Sequence, residues 1–231
     1  MVRNQFKGKS CFVLGNGKSL NNYDLNRLVG GRFTMCFNRF YLADVAWHPT
    51  FYTVADEGII QDYGEEITEY IKHIPYPMFP HTHPTKHNFR DSVSGEDIFW
   101  YRLTWGGLYL NSVNPTCGLN ATVANVGIQL LYWLGFKTIY LLGIDMDYVI
   151  PEDVWHVDDR DLISTGDDPN HFDVNYFGAG HRFHVPKTTV MLEKLGELSR
   201  QLKAKGVRLV NLNPDSRFTD CEFGDYDSVT L

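Results

Sequence analysis

The sequence predicts an α/β fold, a doubly wound and mostly parallel sheet with a lid inserted over its carboxyl edge. Three observations predict it. Short apolar or β-branched runs alternate with amphipathic helical patterns along the chain. The first run ends in a glycine turn that leads directly into a helical pattern. Two long segments rich in aromatics interrupt the alternation without reading as disorder, because disordered chains are poor in aromatic residues.

The strand signals are "SCFVLG" (10–15), "RFTMCF" (32–37), "TFYTVA" (50–55), "KTIYLLG" (137–143) and "VRLVNL" (207–212). Helical patterns fill the gaps. "LNNYDLNRLV" follows the first strand, with Ser19 placed to cap it. "IIQDYGEEITEYIKHI" follows the third strand. In 118–135, Val123, Val126, Leu130, Leu131 and Leu134 recur at helical spacing, and in 187–205 Met191, Leu195, Leu198 and Leu202 do the same. Strand–helix alternation of this kind buries both faces of a parallel sheet, the Rossmann-like arrangement. The interruptions are 76–113, with Pro77, Pro80 and Pro84, and 146–186, with Trp155, Phe172, Tyr176, Phe177 and Phe183. Both read as loop or lid segments. The second begins just after the strand that ends at Gly143, at the edge where doubly wound sheets bind ligands.

With 231 residues and 43% apolar content, the chain suits one domain spanning 1–231 with its own core. It carries 21 basic against 28 acidic residues, a net charge of -7, and no Lys/Arg run. That excludes a mainly electrostatic grip on nucleic acid. A small phosphorylated ligand needs only a few placed donors and stays open. Cys11, Cys36, Cys117 and Cys221 form no C-x-x-C pair, which suits reduced thiols in a cytoplasmic protein. "MVRNQFKGKS" has no apolar signal region, and no apolar run approaches the ~20 residues of a spanning helix. A membrane-bound substrate would therefore be met at the bilayer surface.

The glycine turn, "GNGKSL", covers Gly15, Asn16, Gly17, Lys18, Ser19 and Leu20. As a Walker A loop it fails, since Phe12 stands where the first glycine belongs. As a dinucleotide fingerprint it fails at Leu20, where the third glycine belongs. What remains is a strand, a tight turn and a helix start, a shape that lets backbone N–H groups approach an anion.

Four motifs occur in order: "GNGKSL", "CFNRFYL", "PTCGLNATVANVGIQLLYWLGFKTIYLLGIDMDY" and "HFDVNYFGAGHRFH". Together they resemble the bacterial sialyltransferases that use CMP-activated sialic acid, the glycosyltransferase-42 type. They equally resemble the broader domain family that contains archaeal 6-hydroxymethyldihydropterin diphosphokinase and the central domain of flagellin glycosyltransferases. The resemblance covers roughly residues 10–215. It implies a soluble, inverting, metal-independent glycosyltransferase with no cofactor, whose partners are a nucleotide-sugar donor and a surface glycan.

Residue by residue, the resemblance implies that Gly15, Asn16, Gly17, Lys18 and Ser19 cradle the nucleotide, Lys18 standing where the family has Pro. Asn38 contacts the nucleotide, beside Arg39 where the family has an amide. Asp56 falls near the family's sugar site, and Asp56 or Glu57 ends the third strand. Thr116, Cys117 and Gly118 match a Thr-Ser-Gly at a helix start, with Cys117 in place of Ser. Asp145 and Tyr148 follow the fourth strand, the tyrosine after a one-residue insertion, and Tyr176 is the lid tyrosine that steadies the phosphate. The base is a lid histidine: His181 ranks first, on a two-residue insertion, then His184, then His171. Histidine suits that task because its ordinary pKa near ~6.5 leaves it partly neutral at cellular pH. The diphosphokinase alternative would need ATP and Mg²⁺, held by Asp56, Asp145 or Asp147. A third reading is a nucleotide-sugar-binding domain without catalysis. "HTHPTKH", with His81, His83 and His87, has a metal-like spacing, but no Cys, Asp or Glu completes it within the run, so it reads as a polar loop near the acceptor site.

Overall fold

The computed structural model describes residues 1–152, 154–158 and 161–229. The five expected strands form as β1 Ser10–Leu14, β2 Thr34–Phe37, β3 Phe51–Thr53, β7 Thr138–Leu142 and β11 Arg208–Asn211. Four more join them: β4 Tyr76–Pro80, β5 Phe99–Trp105, β6 Thr116–Leu119 and β12 Glu222–Phe223. Among the described residues these nine make one parallel sheet in the order β12-β11-β7-β1-β2-β3-β4-β5-β6. The register is Val13 opposite Met35 on one side of β1 and opposite Leu141 on the other. The chain runs outward from β1 in one direction through β2 to β6, then returns to β7 on the other side, so the topological switch lies beside β1.

The segment 76–113 thus holds two strands, β4 and β5, and its prolines explain why it reads as loop throughout. Tyr76 N–H bonds Thr50 and His81 N–H bonds Tyr101, so even residues of β4 face β3 and odd ones face β5. Pro77 therefore faces the stretch before β5 begins, and Pro80 the stretch after β3 ends. Neither ring removes a ladder bond that a partner could have made.

The expected helices form with shifted bounds. The stretch after β1 becomes two short 3₁₀ turns, Lys18–Asn22 and Leu25–Leu28, and the cap of the second is Asp24 rather than Ser19 of the first. After β3 come α1 Glu57–Asp62 and α2 Gly64–Ile71. α3 is Val123–Leu134, capped by the Thr122 hydroxyl accepting from Ala124 N–H and stopped by Gly135 at φ 96°. α4 is Thr188–Ala204. α3 and α4 cover one face of the sheet through Val126, Leu130, Leu195 and Leu198; α1 and α2 cover the other through Ile59, Ile60, Ile67 and Ile71. α3 lies close, since a Cβ on Gly127 would sit 2.4 Å from the Phe37 ring.

Segment 146–186 carries a small antiparallel sheet, β8 Val154–His156, β9 Asp161–Ser164 and β10 Arg182–His184. Residues 170–172 pair with the glycine turn: Lys18 N–H donates to the Asn170 carbonyl and Phe172 N–H to the Asn16 carbonyl. The lid is thereby zipped onto the carboxyl edge beside β1. No helix of the described residues is long and apolar enough to cross a membrane.

Candidate active site

A cavity of about 610 Å³ opens at the carboxyl edge of the sheet, between the strand ends and the lid. β1 and β2 supply Asn16 and Asn38, β3 and α1 supply Asp56 and Glu57, and β7 is followed by Asp145, Asp147 and Tyr148. The lid supplies His171, Tyr176, Arg182 and His184. Three strand-end residues near it, Asn38, Ala121 and Met146, hold positive φ angles of 50°, 64° and 60°. Such conformations persist only where the surroundings fix them.

Four backbone N–H groups of the glycine turn are already paired, although Gly15, Asn16 and Gly17 line the cavity. Gly15 N–H bonds Leu142, Gly17 N–H bonds Gly143, Lys18 N–H bonds Asn170 and Ser19 N–H bonds the Asp145 carboxylate. The glycines are needed for packing. A Cβ on Gly15 would stand 2.2 Å from the Gly143 oxygen, and one on Gly17 would stand 2.4 Å from Asp145 Oδ2. Lys18 and Ser19 face a separate recess with Asp147, Asn213 and Asp215 rather than the cavity. Asp145 braces the turn, accepting from Ser19 N–H, the Ser19 hydroxyl and Asn213 Nδ2.

The side chains of the same two strand ends are different. Among the described residues, Asn16 Oδ1 and Asn38 Oδ1 are buried with no hydrogen-bond partner. Both residues line the cavity. A buried acceptor left unpaired costs about 1–3 kcal/mol, so both oxygens favour any donor that reaches them.

Thr116, Cys117 and Gly118 open no helix. They lie in β6, outside the cavity lining. Cys117 is buried in the core, and burial pushes its thiol well up. Gly118 packs beneath the Gly106–Gly107 turn, where a Cβ would stand 2.0 Å from the Gly107 oxygen. The helix start that meets the cavity is six residues later, at Thr122, Val123 and Ala124. Its signal was in the sequence: a threonine immediately before the first periodic valine.

The three histidines occupy three different settings. His181 does not line the cavity, and its Nδ1 lies 2.6 Å from the Tyr63 hydroxyl. His171 is buried and stacks on Tyr176 at 4.0 Å. Its Nδ1 is 2.7 Å from Asp168 Oδ2 and its Nε2 3.2 Å from the Tyr148 hydroxyl. With Asp168 accepting from Nδ1–H, the Nε2 lone pair accepts from Tyr148, so this ring steadies the tyrosine. His184 lines the cavity, with Nδ1 2.6 Å from Asp161 Oδ1 and Nε2 3.9 Å from Asp56 Oδ1. With Asp161 accepting from Nδ1–H, the neutral ring carries its lone pair on Nε2, toward Asp56. Of the two histidines ranked first and second, His184 lines the cavity and His181 does not.

Asp56 caps α1, its Oδ1 accepting from Gly58 and Ile59 N–H at 2.8 and 3.1 Å. Arg39 is buried and reaches up to the lid, donating to the Asn175 and Tyr176 carbonyls and lying 4.0 Å from the Tyr63 ring centre. Tyr148 is held above the ordinary phenol value by desolvation and then by Asp168, Asp145, Asp147 and Asp56. Tyr176, 1% exposed, is raised chiefly by burial. Both are protonated at neutral pH.

His81, His83 and His87 diverge. His81 stacks on Trp100, His83 turns to Thr85 and Glu57, and His87 lies between Gln61 and Ser92. Among the described residues no group of three His, Cys, Asp or Glu side chains is placed to hold a metal ion. His83 and Trp105 line the cavity, as do Glu57 and Arg182, none of which the motifs singled out as binding residues.

No family model and no curated protein matches the sequence. Solved structures do. The MAf glycosyltransferase from Magnetospirillum magneticum AMB-1 matches with a TM-score of 0.59 at 16% identity, over 100% of this chain and 36% of that one. The sialyltransferase CstII from Campylobacter jejuni, in complex with the substrate analogue CMP-3FNeuAc, matches with a TM-score of 0.52 at 17% identity, over 93% of this chain and 85% of that one. The same enzyme with cytidine-5'-monophosphate gives a TM-score of 0.52 at 15% identity over 94% and 85%. The chain thus spans about a third of the Magnetospirillum protein, 36%, and it has the α/β fold that these glycosyltransferase structures share.

Proposed function

We propose that this chain is a glycosyltransferase that moves a sialic-acid-like sugar from a CMP-activated donor to a hydroxyl of a surface glycan, with inversion. One observation carries the reading: the two buried, partnerless amide oxygens of Asn16 and Asn38, side by side at the topological switch of a parallel sheet. They ask for N–H or O–H donors, which a cytosine amino group and ribose hydroxyls supply. The CstII structures that share the fold hold CMP or a CMP-sugar analogue, which supports cytosine as the base.

On this reading His184 is the general base. Its Nε2 takes the acceptor proton while the acceptor oxygen bonds to the anomeric carbon from the face opposite the nucleotide. The bond from that carbon to the phosphate oxygen breaks, and its electron pair leaves with CMP. Asp161 fixes the tautomer from behind, and Asp56 is close enough to favour the ring once it is charged. Tyr148 and Tyr176 stand on the lid wall beside the leaving phosphate. A nucleotide monophosphate departs readily as its anion, so the path asks nothing of a metal ion. Of the three carboxylates that the diphosphotransfer alternative could use for a metal, Asp56, Asp145 or Asp147, that of Asp145 already accepts three hydrogen bonds.

A thermal-shift panel of CMP, CDP, UDP, GDP, ATP and ATP–Mg²⁺ tests the reading, because a ligand that binds only the folded state raises apparent stability. CMP or CDP should stabilise most, without added metal. Stabilisation by ATP–Mg²⁺ alone overturns the reading in favour of diphosphotransfer.

A further inference from the structure

The amino edge of the sheet, opposite the cavity, gathers positive charge in a chain that is acidic as a whole. Three segments without a carboxylate, 1–9, 132–138 and 200–208, carry eight of the 21 lysines and arginines. The fold brings them together where β1, β7 and β11 begin. Lys137 N–H donates to the Lys9 carbonyl at 2.8 Å and Arg208 N–H to the Lys137 carbonyl at 2.9 Å. Lys137 Nζ reaches the Lys205 carbonyl at 3.2 Å. The end of α3 arrives at the same edge, since Gly8 N–H bonds Gly135 and a Cβ on Gly135 would stand 3.0 Å from the Lys7 Cα. Arg200 and Arg208 are matched by Asp220 and Glu222. Arg3, Lys7, Lys9, Lys137, Lys203 and Lys205 remain, all but Lys205 exposed, and among the described residues none of the six joins an ion pair.

Two exposed valines stand beside these charges. Val2 is 66% exposed and Val113 74%. Trp133 joins the two, its carbonyl accepting from Asn4 N–H and its indole N–H donating to the Val113 carbonyl at 3.0 Å. Lys205 Nζ donates to Asn111 Oδ1 at 2.8 Å, which carries the basic group up to the Val113 turn. The acidic surplus lies at the other edge: by sequence, 147–167 in the lid holds seven carboxylates and one arginine. Strands of four or five residues, at about 3.3 Å each, put about 15 Å between the two edges. Salt screens charges over about 8 Å at physiological strength, so the net charge of -7 does not cancel the basic face. It makes the molecule electrically lopsided, and such a molecule turns its basic face toward an anionic surface.

We infer that this face docks on an anionic lipid bilayer, with the lysines among the headgroup phosphates and Val2 and Val113 dipping into the interface. Basic side chains with apolar points beside them are what such a surface binds. A nucleic acid would meet the same charges but gains nothing from exposed valines, so the bilayer accounts for both observations. Docking by the amino edge leaves the cavity at the far end of the strands, away from the membrane plane. The inference goes beyond the proposed reaction and rests on neither its donor nor its acceptor.

The test is binding to vesicles of phosphatidylcholine alone and of phosphatidylcholine mixed with phosphatidylglycerol, with polyuridylate as the nucleic-acid arm. Wild type should bind the mixed vesicles and not the neutral ones, and high salt should release it. Each charge near the surface is worth about fivefold, so Lys7→Gln with Lys137→Gln should bind about 30-fold more weakly. Lys9→Gln with Lys203→Gln should lose as much, so the result does not hang on one pair. Lys72→Gln, an equal change on α2, should bind like wild type. Val2→Ser with Val113→Ser should weaken vesicle binding. Thermal melts check that every variant folds, and CMP stabilisation, read at the other edge, should be the same in all. No binding of wild type to the mixed vesicles, undiminished binding by both glutamine pairs or by the serine pair, or tighter binding to polyuridylate than to vesicles overturns the docking face. Lysine-dependent vesicle binding by a protein that CMP fails to stabilise would sink the nucleotide assignment and leave the docking face standing.

Discussion

Replacing His184 by alanine tests the assignment of the base. The imidazole lines the cavity with Nε2 3.9 Å from Asp56, and its other nitrogen is fixed 2.6 Å from Asp161. A positioned base contributes typically about 10²–10⁴-fold, or about 2.7–5.5 kcal/mol of barrier. His184→Ala should therefore slow single-turnover transfer from a CMP-sugar to a glycoside acceptor by that factor. CMP affinity should stay nearly unchanged, since the ring faces Asp56 rather than Asn16 and Asn38. Asp161→Asn should lose most of the same factor, because an amide no longer holds Nδ1–H in one tautomer against a negative charge. His181→Ala is the control. Its ring lies against Tyr63 outside the cavity, so transfer should change little. If His181→Ala loses turnover while His184→Ala keeps it, the lid meets the substrate in a different register and the assignment is refuted. If all three variants retain turnover, neither His184 nor His181 is the base.

The turn, the lid and the pin between lid and sheet make further predictions. Gly17→Ala should cost about 1–3 kcal/mol, or about 2–4 °C of Tm per kcal/mol, because its Cβ meets the Asp145 carboxylate at 2.4 Å. In an Asp145→Ala background the added cost should shrink by about 1 kcal/mol or more, and strictly additive losses in urea melts would show that the turn yields elsewhere. Burial alone would raise the Asp168 carboxyl, but bonds from His171, Asn170 N–H and Phe177 N–H more than offset it, so its value falls below the ordinary 3.8. A lowered carboxyl contributes stability above its unfolded value and loses it as pH falls through the folded one, so the gap between wild type and Asp168→Asn should be full at neutral pH and close below about pH 4; a gap constant with pH contradicts this. Arg39→Lys should raise hydrogen exchange in 170–178 and weaken nucleotide binding, since one ammonium cannot pair both lid carbonyls and lie on Tyr63; unchanged exchange would mean that the lid is held elsewhere.

Much of this fold was legible because apolar periodicity and burial coincide in β1, β2, β3, β7, β11, α3 and α4. β4 was not, since Pro77 and Pro80 read as breakers, and only the register shows that their missing N–H groups face no partner. β6 was not, because Thr116–Leu119 runs into the helix without a turn signal stronger than Asn120. The same blurred boundary moved the helix start from Thr122 to Thr116. Of the residues expected at strand ends, Asn16, Asn38, Asp56 and Tyr148 line the cavity. It was not legible where partners are remote in sequence. Nothing local pairs His184 with Asp161, 23 residues away, or Ser19 with Asp145, 126 away.

The glycine turn fails both phosphate-loop spacings, and the structure gives that failure a physical reason. A phosphate loop works by leaving successive N–H groups unpaired. Here Gly15, Gly17, Lys18 and Ser19 spend theirs on β7, the lid and Asp145. The turn is consequently a joint between sheet and lid, and its glycines serve contact with Gly143 and Asp145. Arg39 fits the same pattern. Where the resembling family has an amide, this chain has a guanidinium that points into the lid and fastens residues 175 and 176 over Asn38. Anchoring the lid from both β1 and β2 leaves the Asn16 and Asn38 amide oxygens buried and short of donors. A bare phosphate carries only acceptors at its ionised oxygens and cannot satisfy them. A nucleoside, with amino and hydroxyl donors, can, so on the proposed reading recognition is divided: the asparagines read base and ribose, and the lid wall, with Tyr148 and Tyr176, attends to the phosphate.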